Sequence, residues 1–430
     1  MNSHETVAGR GTLSMGDRAL HAWNRFWFTP SDPTVLGLIR ICFGLVTLYT
    51  TLAYSLDLQE FFGPEAWWNL ESANLVRHQR PYQVEALRGY HRVGPVFPPP
   101  AKDAAEQRAF EKYFDEFGIH PSLTYAQGKP IWSVWFHVTD PTGMAVVHGF
   151  ICLVTFLFTI GFCTRITAVL TWIGQLSYIH RTTQVLFGVD TMMTILLVYL
   201  MIGPSGAAYS VDNLIARWWS RAKPDIIRRW RAFWRKPAGT ILPAPVPSQH
   251  PLPSVSTNVA IRLLQVHVCI IYLAAGLAKM LGQSWWDGTA VWGTLANYEF
   301  APMQFPIYVD FLRLLGHNKM VLLGFLTMAC YFTLFFEIGY AFLIWRPATR
   351  WLMLGMAIIL HGMIGLFMGL KTFSLMMLVM NMAFLKPEEV RWFFGMFTRG
   401  RKELNASIAP APVPELAVAG TSSTAVKRKK

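Results

Sequence analysis

Long apolar segments recur along this chain, and no other feature constrains its fold so strongly. They lie near residues 33–57, 144–163, 165–180, 188–206, 257–281, 320–344, 350–369 and 372–385. A helix needs about 20 apolar residues to cross the hydrocarbon core of a bilayer, and somewhat fewer where the bilayer thins. Because lipid offers the backbone no hydrogen-bond partner, such segments have to be helical. The sequence therefore predicts an all-α polytopic membrane protein, a bundle of about eight transmembrane helices.

The composition agrees with a chain that folds in lipid. Hydrophobic residues make up 53% of the 430 residues and charged residues only 15%, whereas a soluble globular chain carries about 25% charged residues. The net charge of +13 comes from Lys and Arg between and beyond the apolar segments, so its expected partner is a bilayer with anionic headgroups and not nucleic acid. The five cysteines have no metal-ligand spacing, and neither a disulfide framework nor a metal site is predicted.

The basic residues also predict the orientation of the chain. They cluster in 207–256 and at the C-terminus, including Arg217, Arg221, Lys223, Arg228, Arg229, Arg231, Arg235, Lys236, Arg399, Arg401, Lys402 and Lys427 to Lys430. Cytoplasmic loops of membrane proteins carry such an excess of Lys and Arg. Both termini and the 207–256 loop are therefore expected in the cytoplasm, and 58–143 outside. In a bacterium this would be a multi-pass protein of the cytoplasmic membrane.

Five segments follow from this topology. Residues 1–32 form a cytoplasmic N-terminal amphipathic segment, and 33–395 form the membrane domain. The external loop 58–143 is expected to fold as a cap over the outer face. Residues 212–236, rich in Trp and Arg, are expected to form a cytoplasmic interfacial helix that begins near Asp212. The tail 396–430 is Ala/Pro/Ser-rich and then basic, which is typical of a disordered segment.

Ionisable side chains within the apolar segments are costly in a membrane and so mark candidate functional sites. They are Arg40, His148, His180, Asp190, His267, Lys279, Glu337 and His361. The predicted topology brings His180, Asp190, Lys279 and His361 toward the outer face. Arg40 and Glu337 are expected toward the cytoplasmic side, where an ion pair between them is one alternative.

Lys279 belongs to a stripe of residues along the fifth apolar segment. Gln265, Tyr272 and Lys279 are spaced by seven residues, with Gly276 between the last two, so they share one helix face. Glycine lets a neighbouring helix or a ligand approach closely. Desolvation disfavours the ammonium form of a lysine, which then acts as a general base near neutral pH. The stripe predicts a face on which a flat ring lies beside a lysine base.

Each of these residues also has a structural interpretation. Lys279 is equally a lysine that lays its stem in lipid and extends its amine to water. His180, beside Arg181, is equally an interfacial histidine, and His361 stands next to Gly362 and Gly365, where helices pack tightly. The residues alone leave these alternatives open.

The segment Tyr272 to Lys279 (YLAAGLAK), followed by Trp285 and Gly288, resembles the pattern Y-x-x-A-G-x-x-K…W-x-x-G. This pattern belongs to the HTTM domain, the membrane part of vitamin K-dependent γ-glutamyl carboxylase. Further pieces resemble the family in the same order: Arg40 to Gly44, Tyr178 to Arg181 before Gly188 to Asp190, Tyr209 to Asp212, and His361 with Gly369, Phe373 and Ser374. The resemblance covers roughly residues 30–390.

The resemblance implies a specific chemistry. In the carboxylase, a lysine matching Lys279 is taken as the base that deprotonates vitamin K hydroquinone. Oxygen then adds, and the base so formed removes a glutamate γ-proton before carbon dioxide is captured. Histidines matching His180 and His361 lie near that centre. The expected catalytic residues are thus Lys279, His180 and His361, and the expected cofactor is a reduced vitamin K-type, menaquinol-like quinol, with lyase or oxygenase chemistry.

Tyr272, Gly276, Gln265 and Asp190 are the expected substrate-binding residues, because three share the lysine's stripe and Asp190 begins a segment at the same face. The chain departs from the carboxylase in having Ile179 where the carboxylase has an asparagine. It also ends soon after the membrane domain, without the large lumenal domain. Peptide carboxylation is therefore not expected, whereas quinol binding or oxidation is. The other class left open is a non-catalytic membrane scaffold, carrier or partner-binding subunit.

Overall fold

The structure, a computed structural model, describes residues 14–78, 103–105, 108, 112, 131–219, 251–298 and 301–396. Its helices are α1 (Met15–Phe28), α2 (Thr34–Ala53), α3 (Leu58–Phe62), α4 (Leu70–His78), α5 (Pro141–Ile160), α6 (Thr164–Arg181), α7 (Gly188–Ile202), α8 (211–219), α9 (Val255–Met280), α10 (Gln283–Trp286), α11 (Ala290–Leu295), α12 (Pro306–His317), α13 (Lys319–Leu343), α14 (Pro347–Phe367) and α15 (Lys371–Asn381). Short 3₁₀ turns occur at Val134–Phe136, Thr183–Val185, Ala301–Gln304 and Met382–Phe384.

The helices form the all-α architecture that the apolar segments predict. No strand occurs among the described residues, although an isolated antiparallel bridge joins Ser31 to Ser254. Each predicted segment forms a helix. Helices α2, α5, α9, α13 and α14 are long and apolar enough to cross a membrane, and α7 and the segment 371–384 are shorter apolar helices. These helices are those of a multi-pass integral membrane protein.

Helix α5 shows how the sequence divides each helix between lipid and the bundle. Its large side chains Val146, Phe150, Leu153 and Phe156 are exposed, whereas His148, Ile151, Val154 and Phe158 are buried. The exposed set recurs every three or four residues and so follows one helix face. A soluble protein rarely exposes a continuous apolar face of this kind, so the outward face of α5 suits hydrocarbon.

Two ends of the bundle can be distinguished by the segments that lie there. The cap end carries residues 54–78, 131–140 and 282–317, which follow or precede the ends of α2, α5 and α9. Arg181, almost fully buried, fastens this end, because its guanidinium donates to the carbonyls of Gly63 (2.7 Å) and Trp68 (2.9 Å).

The linker end carries residues 161–163, 203–210 and 344–346, and a second buried arginine fastens it. Arg40 donates to the carbonyls of Ser205 (2.7 Å), Ala208 (3.4 Å) and Tyr209 (2.6 Å). The alternative of an Arg40–Glu337 ion pair is therefore wrong, since backbone carbonyls occupy this guanidinium. It is the shortage of backbone partners where helices end that draws a buried arginine there.

A helix begins near Asp212 as predicted, but Ser210 caps it through the N–H of Asn213 (3.0 Å), and Asp212 stabilises the start of another helix. Helix α8 includes residue 211, and the Asp212 carboxylate accepts hydrogen bonds from the N–H groups of Cys163 (2.7 Å) and Thr164 (2.8 Å). These are first-turn donors of α6, which a carboxylate satisfies and whose dipole it favours.

The chain forms two compact units, residues 1–387 and 388–430. The described part of the second unit, 388–396, is helical. In the first unit, the predicted N-terminal amphipathic segment forms α1 from Met15 onward. Most of the predicted cap (79–130 except 103–105, 108 and 112), most of the interfacial helix and following linker (220–250), and the tail from 397 lie outside the described residues.

Candidate functional site

Lys279 forms an ion pair with Glu337 between α9 and α13. Its Nζ donates a hydrogen bond of 2.9 Å to Oε1 of Glu337 and also lies 2.9 Å from Oε2. The side chain of Lys279 is 26% exposed and that of Glu337 only 8%. The Lys279 amine also lies 5.4 Å from the ring centroid of Trp285, within cation–π range. The amine is therefore held by a carboxylate and a ring of the bundle, which differs from a lysine that extends freely into water.

Gly276 allows the two helices of this pair to approach. A Cβ atom at Gly276 would lie 2.8 Å from Cγ1 of Ile338 and 3.1 Å from Cβ of Glu337. Such distances are shorter than van der Waals contact, so a larger residue would push α13 away. The sequence left open whether a helix or a ligand lies against Gly276. The neighbour is α13.

Tyr272, one step further along the stripe, joins four helices through hydrogen bonds. Its hydroxyl lies 2.7 Å from Nε2 of His361 on α14 and accepts a 2.9 Å hydrogen bond from Nδ2 of Asn381 on α15. The hydroxyl of Tyr340 on α13 donates to Oδ1 of Asn381. All four side chains are buried. We call this set, Tyr272, His361, Asn381 and Tyr340, the polar network.

The hydrogen bond between Tyr272 and His361 exists in two tautomers, because the Tyr272 oxygen has two lone pairs and can accept from both Asn381 and an Nε2–H. In the tautomer that gives the Tyr272 hydroxyl proton an acceptor, Tyr272 donates to Nε2 of His361. A neutral imidazole that accepts at Nε2 carries its proton on Nδ1. This Nδ1 is buried and has no hydrogen-bond partner among the described residues. A buried donor left without an acceptor costs about 1–3 kcal/mol, so it is a position where a ligand oxygen or a water is favoured.

Ser374 is a second buried polar group of this kind. Its Oγ has no partner within the part of the chain that the structure describes, and it lies 3.3 Å from where a Cβ of Gly365 would be. Gly365 is one helical turn from His361 on α14. The adjacent Phe373 ring has its centroid 6.0 Å from that of His361. His361 and Ser374 therefore belong to one neighbourhood.

A cavity of about 770 Å³ opens at the cap end beside this neighbourhood. Its lining residues are Tyr49, Pro302, Phe305, Ile307, Tyr308, Phe311, Gly365, Leu366, Phe367, Gly369, Lys371 and Thr372. The lining is mostly apolar and aromatic, as in sites for drug-sized ligands of that volume. Gly365 connects the cavity to Ser374 and, one turn away, to His361. We call this space the cap-end cavity.

His180 has its contacts elsewhere. Its Nδ1 lies 2.7 Å from the carbonyl oxygen of Trp132 and 3.3 Å from the N–H of the same residue. Trp132 belongs to the segment before α5, and His180 ends α6, which packs against α5 and α7. The expected grouping of His180 with Lys279 and His361 thus has no contact to support it, and His180 holds a cap-end segment.

Asp190 caps a helix. Its carboxylate accepts a 2.8 Å hydrogen bond from the N–H of Phe187, at the start of α7. Burial, together with the negative charge of Asp190, raises the pKa of Tyr54, which follows α2, to about 12. Tyr54 therefore keeps its proton at neutral pH. These contacts account for Asp190 without a substrate.

Gln265 lies far from the lysine along the same stripe. Its Nε2 donates to the carbonyl of Ala383 (2.8 Å), and its Oε1 accepts from Arg262 (2.9 Å). Fourteen residues separate it from Lys279, which is about 21 Å along a helix. Gln265, Tyr272 and Gly276 are buried on α9, as one helix face predicts. Gln265, however, lies toward the linker end of α9 and Lys279 toward its cap end. The expected substrate-binding role of Gln265 has no support in these contacts.

The position of Glu337 along α9 differs from its position along its own helix. Counting from the start of α13 brings Glu337 near the linker end, yet it lies against Gly276, near the cap-end terminus of α9. The cause is the segment 282–317, because its side chains Leu295, Tyr308 and Leu312 pack with Leu326 of α13. This segment covers the first half of α13, so that half extends past the end of α9.

No sequence feature identified Asn381 as a member of the polar network, since a single amide in a helix is common.

A second buried tyrosine–histidine pair lies in the other half of the bundle. Nδ1 of His148 on α5 lies 2.7 Å from the hydroxyl of Tyr178 on α6, and its Nε2 lies 2.8 Å from Oγ of Ser55. The surrounding side chains are Phe62 and Trp135. Both ring nitrogens of His148 have oxygen partners, in contrast to His361.

No group of three or more His, Cys, Asp or Glu able to hold a metal ion occurs in the described ranges. The site is therefore built from an ion pair, the polar network and the cap-end cavity, and together with the fold it defines a helical membrane protein with a polar centre beside an apolar cavity.

Comparisons with known proteins add one relative. The chain is similar to the "Uncharacterized protein YitO" of Bacillus subtilis (strain 168), with 25% identity over 144 residues. That match covers 33% of this chain and 44% of the relative, so the chain spans less than half of the relative's length. No family model matches, and no solved structure matches either.

Proposed function

We propose that this protein binds a lipid-soluble quinol in the cap-end cavity, in the manner of an HTTM-type membrane domain. One observation carries the proposal. Tyr272 and His361, from two separate pieces of the HTTM pattern, meet through a 2.7 Å hydrogen bond, Nδ1 of His361 has no partner among the described residues, and Gly365, one turn from His361, lines the cap-end cavity. Neither piece of sequence requires the other for its own helix. Their meeting at a buried, incompletely satisfied site supports a role in binding.

The residues present suit an aromatic diol or dione. Its ring would lie among Phe305, Tyr308 and Phe367 of the cavity lining, where an apolar substrate is removed from water. Its oxygen would accept from Nδ1–H of His361 and exchange a hydrogen bond with Ser374. A long apolar tail matches a cavity that is open toward the lipid. These are the groups that would hold the quinol.

A bound quinol would supply an acidic phenolic hydroxyl. The chain would supply the acceptor for its proton, and the ion pair changes which residue takes it. With the ammonium of Lys279 hydrogen-bonded to Glu337, the free proton-accepting capacity of the pair is on the carboxylate. Glu337 is then the proposed acceptor of the proton, and Lys279 keeps its positive charge. The pair as a whole is the base in this proposal, and Lys279 alone is not.

The proposal includes the finer topology. The eight helical segments α2, α5, α6, α7, α9, α13, α14 and α15 each cross the membrane, with both termini and the linker end in the cytoplasm. The basic residues in 207–236 and the tail support this orientation. Reporter fusions after α6 and at the C-terminus test it, and a translocated C-terminus would contradict it.

Quinone binding by the purified protein tests the function. The protein in nanodiscs is titrated with a short-chain naphthoquinol under anaerobic conditions, and tryptophan quenching reports binding. We expect saturable binding that weakens about tenfold or more in His361→Leu and Ser374→Ala, since each removes a hydrogen bond to the ligand. The matched control is His148→Leu, which removes a buried histidine outside the cavity and keeps the affinity of the folded fraction.

A non-catalytic subunit is the second candidate, and the closed Lys279–Glu337 pair favours it. An ion pair whose only role is to join α9 and α13 needs no substrate. If the wild-type protein shows no saturable quinol binding, or if His361→Leu binds as the wild type does, the quinol proposal fails and the structural candidate remains.

A further inference from the structure

A groove at the linker end combines basic side chains with apolar walls. It has a volume of about 310 Å³ and is lined by Ser31, Asp32, Val35, Asn258, Ile261, Arg262, Gln265, Ile344, Trp345, Pro347, Arg350, Ala383, Phe384, Leu385, Lys386 and Pro387. Three of these residues are cationic and one is anionic, so the lining has a net positive charge. This groove lies at the opposite end of the bundle from the cap-end cavity.

Arg262 is held rigidly in this groove. Its guanidinium carbon lies 4.4 Å from the ring centroid of Phe26 and 5.9 Å from that of Trp345. One terminal nitrogen donates to Gln265 (2.9 Å), but the buried Nε has no partner among the residues that the structure describes. A planar guanidinium held beside two aromatic rings, with its Nε–H unused, is preorganised for an oxyanion.

A second guanidinium lines the same groove from another helix. Arg350, near the start of α14, donates to the carbonyl of Phe384 (3.1 Å) and lies 5.1 Å over the ring of Trp351. Two arginines that converge from α9 and α14 form a typical site for a phosphate, which has several acceptor oxygens. Lys386 adds a third positive charge to the rim.

The surroundings distinguish a lipid phosphate from a soluble one. Helix α1 begins at Met15 and packs against α9, with Leu20, Trp23 and Phe28 exposed on its surface. Such an amphipathic helix with aromatic residues lies in the headgroup region of a bilayer. The groove opens at the same level, and its apolar walls, Val35, Ile261 and Leu385 among them, suit the start of an acyl chain.

We propose that this groove binds the phosphate of an anionic phospholipid, held by Arg262 and Arg350. The phosphodiester accepts hydrogen bonds from the two guanidiniums, and the acyl chains follow the apolar wall. This binding ties α1, α9 and α14 together at the linker end. It is independent of quinol binding at the other end.

Native mass spectrometry of the protein from mixed micelles tests the proposal. Equal amounts of phosphatidylglycerol and phosphatidylcholine are supplied, and the bound lipid is identified. We expect one retained phosphatidylglycerol, with occupancy reduced about tenfold in Arg262→Gln, since hydrogen bonds to charged groups are the strong ones. Arg262→Lys keeps the charge but loses the planar donors, and we expect partial occupancy.

Arg165→Gln is the matched control, because Arg165 is an exposed arginine at the same end that donates to the carbonyl of Met201 (3.0 Å). It should retain the lipid as the wild type does. If the folded Arg262→Gln protein still retains phosphatidylglycerol, or if phosphatidylcholine binds equally, the proposal is wrong. Stabilisation of the protein by inorganic phosphate alone, equal to that by phosphatidylglycerol, would overturn the lipid source in favour of a soluble phosphate.

Discussion

The molecule contains two buried tyrosine–histidine pairs, which differ in whether the second imidazole nitrogen has a hydrogen-bond partner. In the His148–Tyr178 pair, both imidazole nitrogens have oxygen partners, and aromatic side chains surround them. In the His361–Tyr272 pair, Nε2 is bonded and Nδ1 has no partner within the described ranges, while a cavity opens one turn away. The same two residue types thus form a fully hydrogen-bonded pair in one half of the bundle and leave a buried ring nitrogen without a described partner in the other.

Hydrogen-bond satisfaction distinguishes buried polar residues that only pack from candidate binding residues in a membrane bundle. Burial and residue type are alike in the two pairs, so neither distinguishes them. What distinguishes them is whether every donor and acceptor has a partner, because an unsatisfied buried group persists only where something else compensates its cost. The Lys279–Glu337 ion pair lies on the same two helices as Tyr272 and Tyr340.

The largest effect is expected from Lys279→Met. The substitution leaves the carboxylate of Glu337, 8% exposed, without its cation, and breaking such a pair costs about 2–4 kcal/mol of unfolding free energy, toward the lower end because the amine is partly exposed. Unfolding in bicelles measures it. Lys279→Met combined with Glu337→Gln should recover most of the loss, and a double variant no more stable than the single would show that the pair is not the cause.

His148→Phe is expected to destabilise the protein more than His361→Phe. The first removes two hydrogen bonds, to the Tyr178 hydroxyl and to Ser55 Oγ. The second removes one, to the Tyr272 hydroxyl, which keeps the hydrogen bond from Asn381. At about 1 kcal/mol for each hydrogen bond, the first loss is the larger. Thermal denaturation followed by tryptophan fluorescence gives the order. Quinol binding should show the reverse order. Equal losses in both assays would mean that the two pairs are equivalent.

Much of the fold could be predicted from the sequence, because apolar runs and helix ends are local features. The segments later seen as α2, α5, α9, α13 and α14 each follow from a continuous run, and the polar faces follow from helical spacing. The site was harder. Lys279, Tyr272 and His361 could be predicted, since an ionisable or polar residue in an apolar run stands out.

The hydrogen-bond and ion-pair partners of these side chains could not be predicted, because they depend on how far each helix is shifted along its neighbour. The pairing of Glu337 with Lys279 was not expected, because the segment 282–317 covers the first half of α13 and shifts that helix along α9. His180 was expected at the site although it binds the carbonyl of Trp132, in a segment whose course the sequence leaves open. Gln265 and Asp190 were assigned to a substrate, yet one ties α9 to Ala383 and the other caps α7.

Gly276→Ala tests whether the close approach of α9 and α13 beside the Lys279–Glu337 ion pair stabilises the protein. A Cβ there would lie 2.8 Å from Cγ1 of Ile338, while a Cβ at Gly362 on α14 meets nothing within 4 Å. We expect Gly276→Ala to cost about 1–2 kcal/mol through overpacking. Gly362→Ala should be neutral or stabilising by up to about 1 kcal/mol. The unfolding midpoints decide, and similar values for the two variants would argue against close packing at Gly276.

Asp190→Asn is expected to have the smallest effect. The amide still accepts from the N–H of Phe187, so the loss of the capping charge costs about 0.5 kcal/mol. Quinol affinity should remain within twofold of the wild type, a range of about 0.4 kcal/mol. A large loss of quinol affinity with little loss of stability would show that Asp190 contributes to substrate binding.

The central claim is that the cavity beside the incomplete pair holds a lipid-soluble quinol, and photolabelling tests it most directly. A quinone analogue with a photoreactive tail is bound to the protein in nanodiscs and irradiated, and the labelled peptides are mapped by mass spectrometry. The account predicts labels within 302–311 and 365–374, suppressed by excess unlabelled quinone and lost in His361→Leu but retained in His148→Leu. Labels confined to the outward faces of α5 and α6, or labels that excess quinone does not suppress, would contradict it.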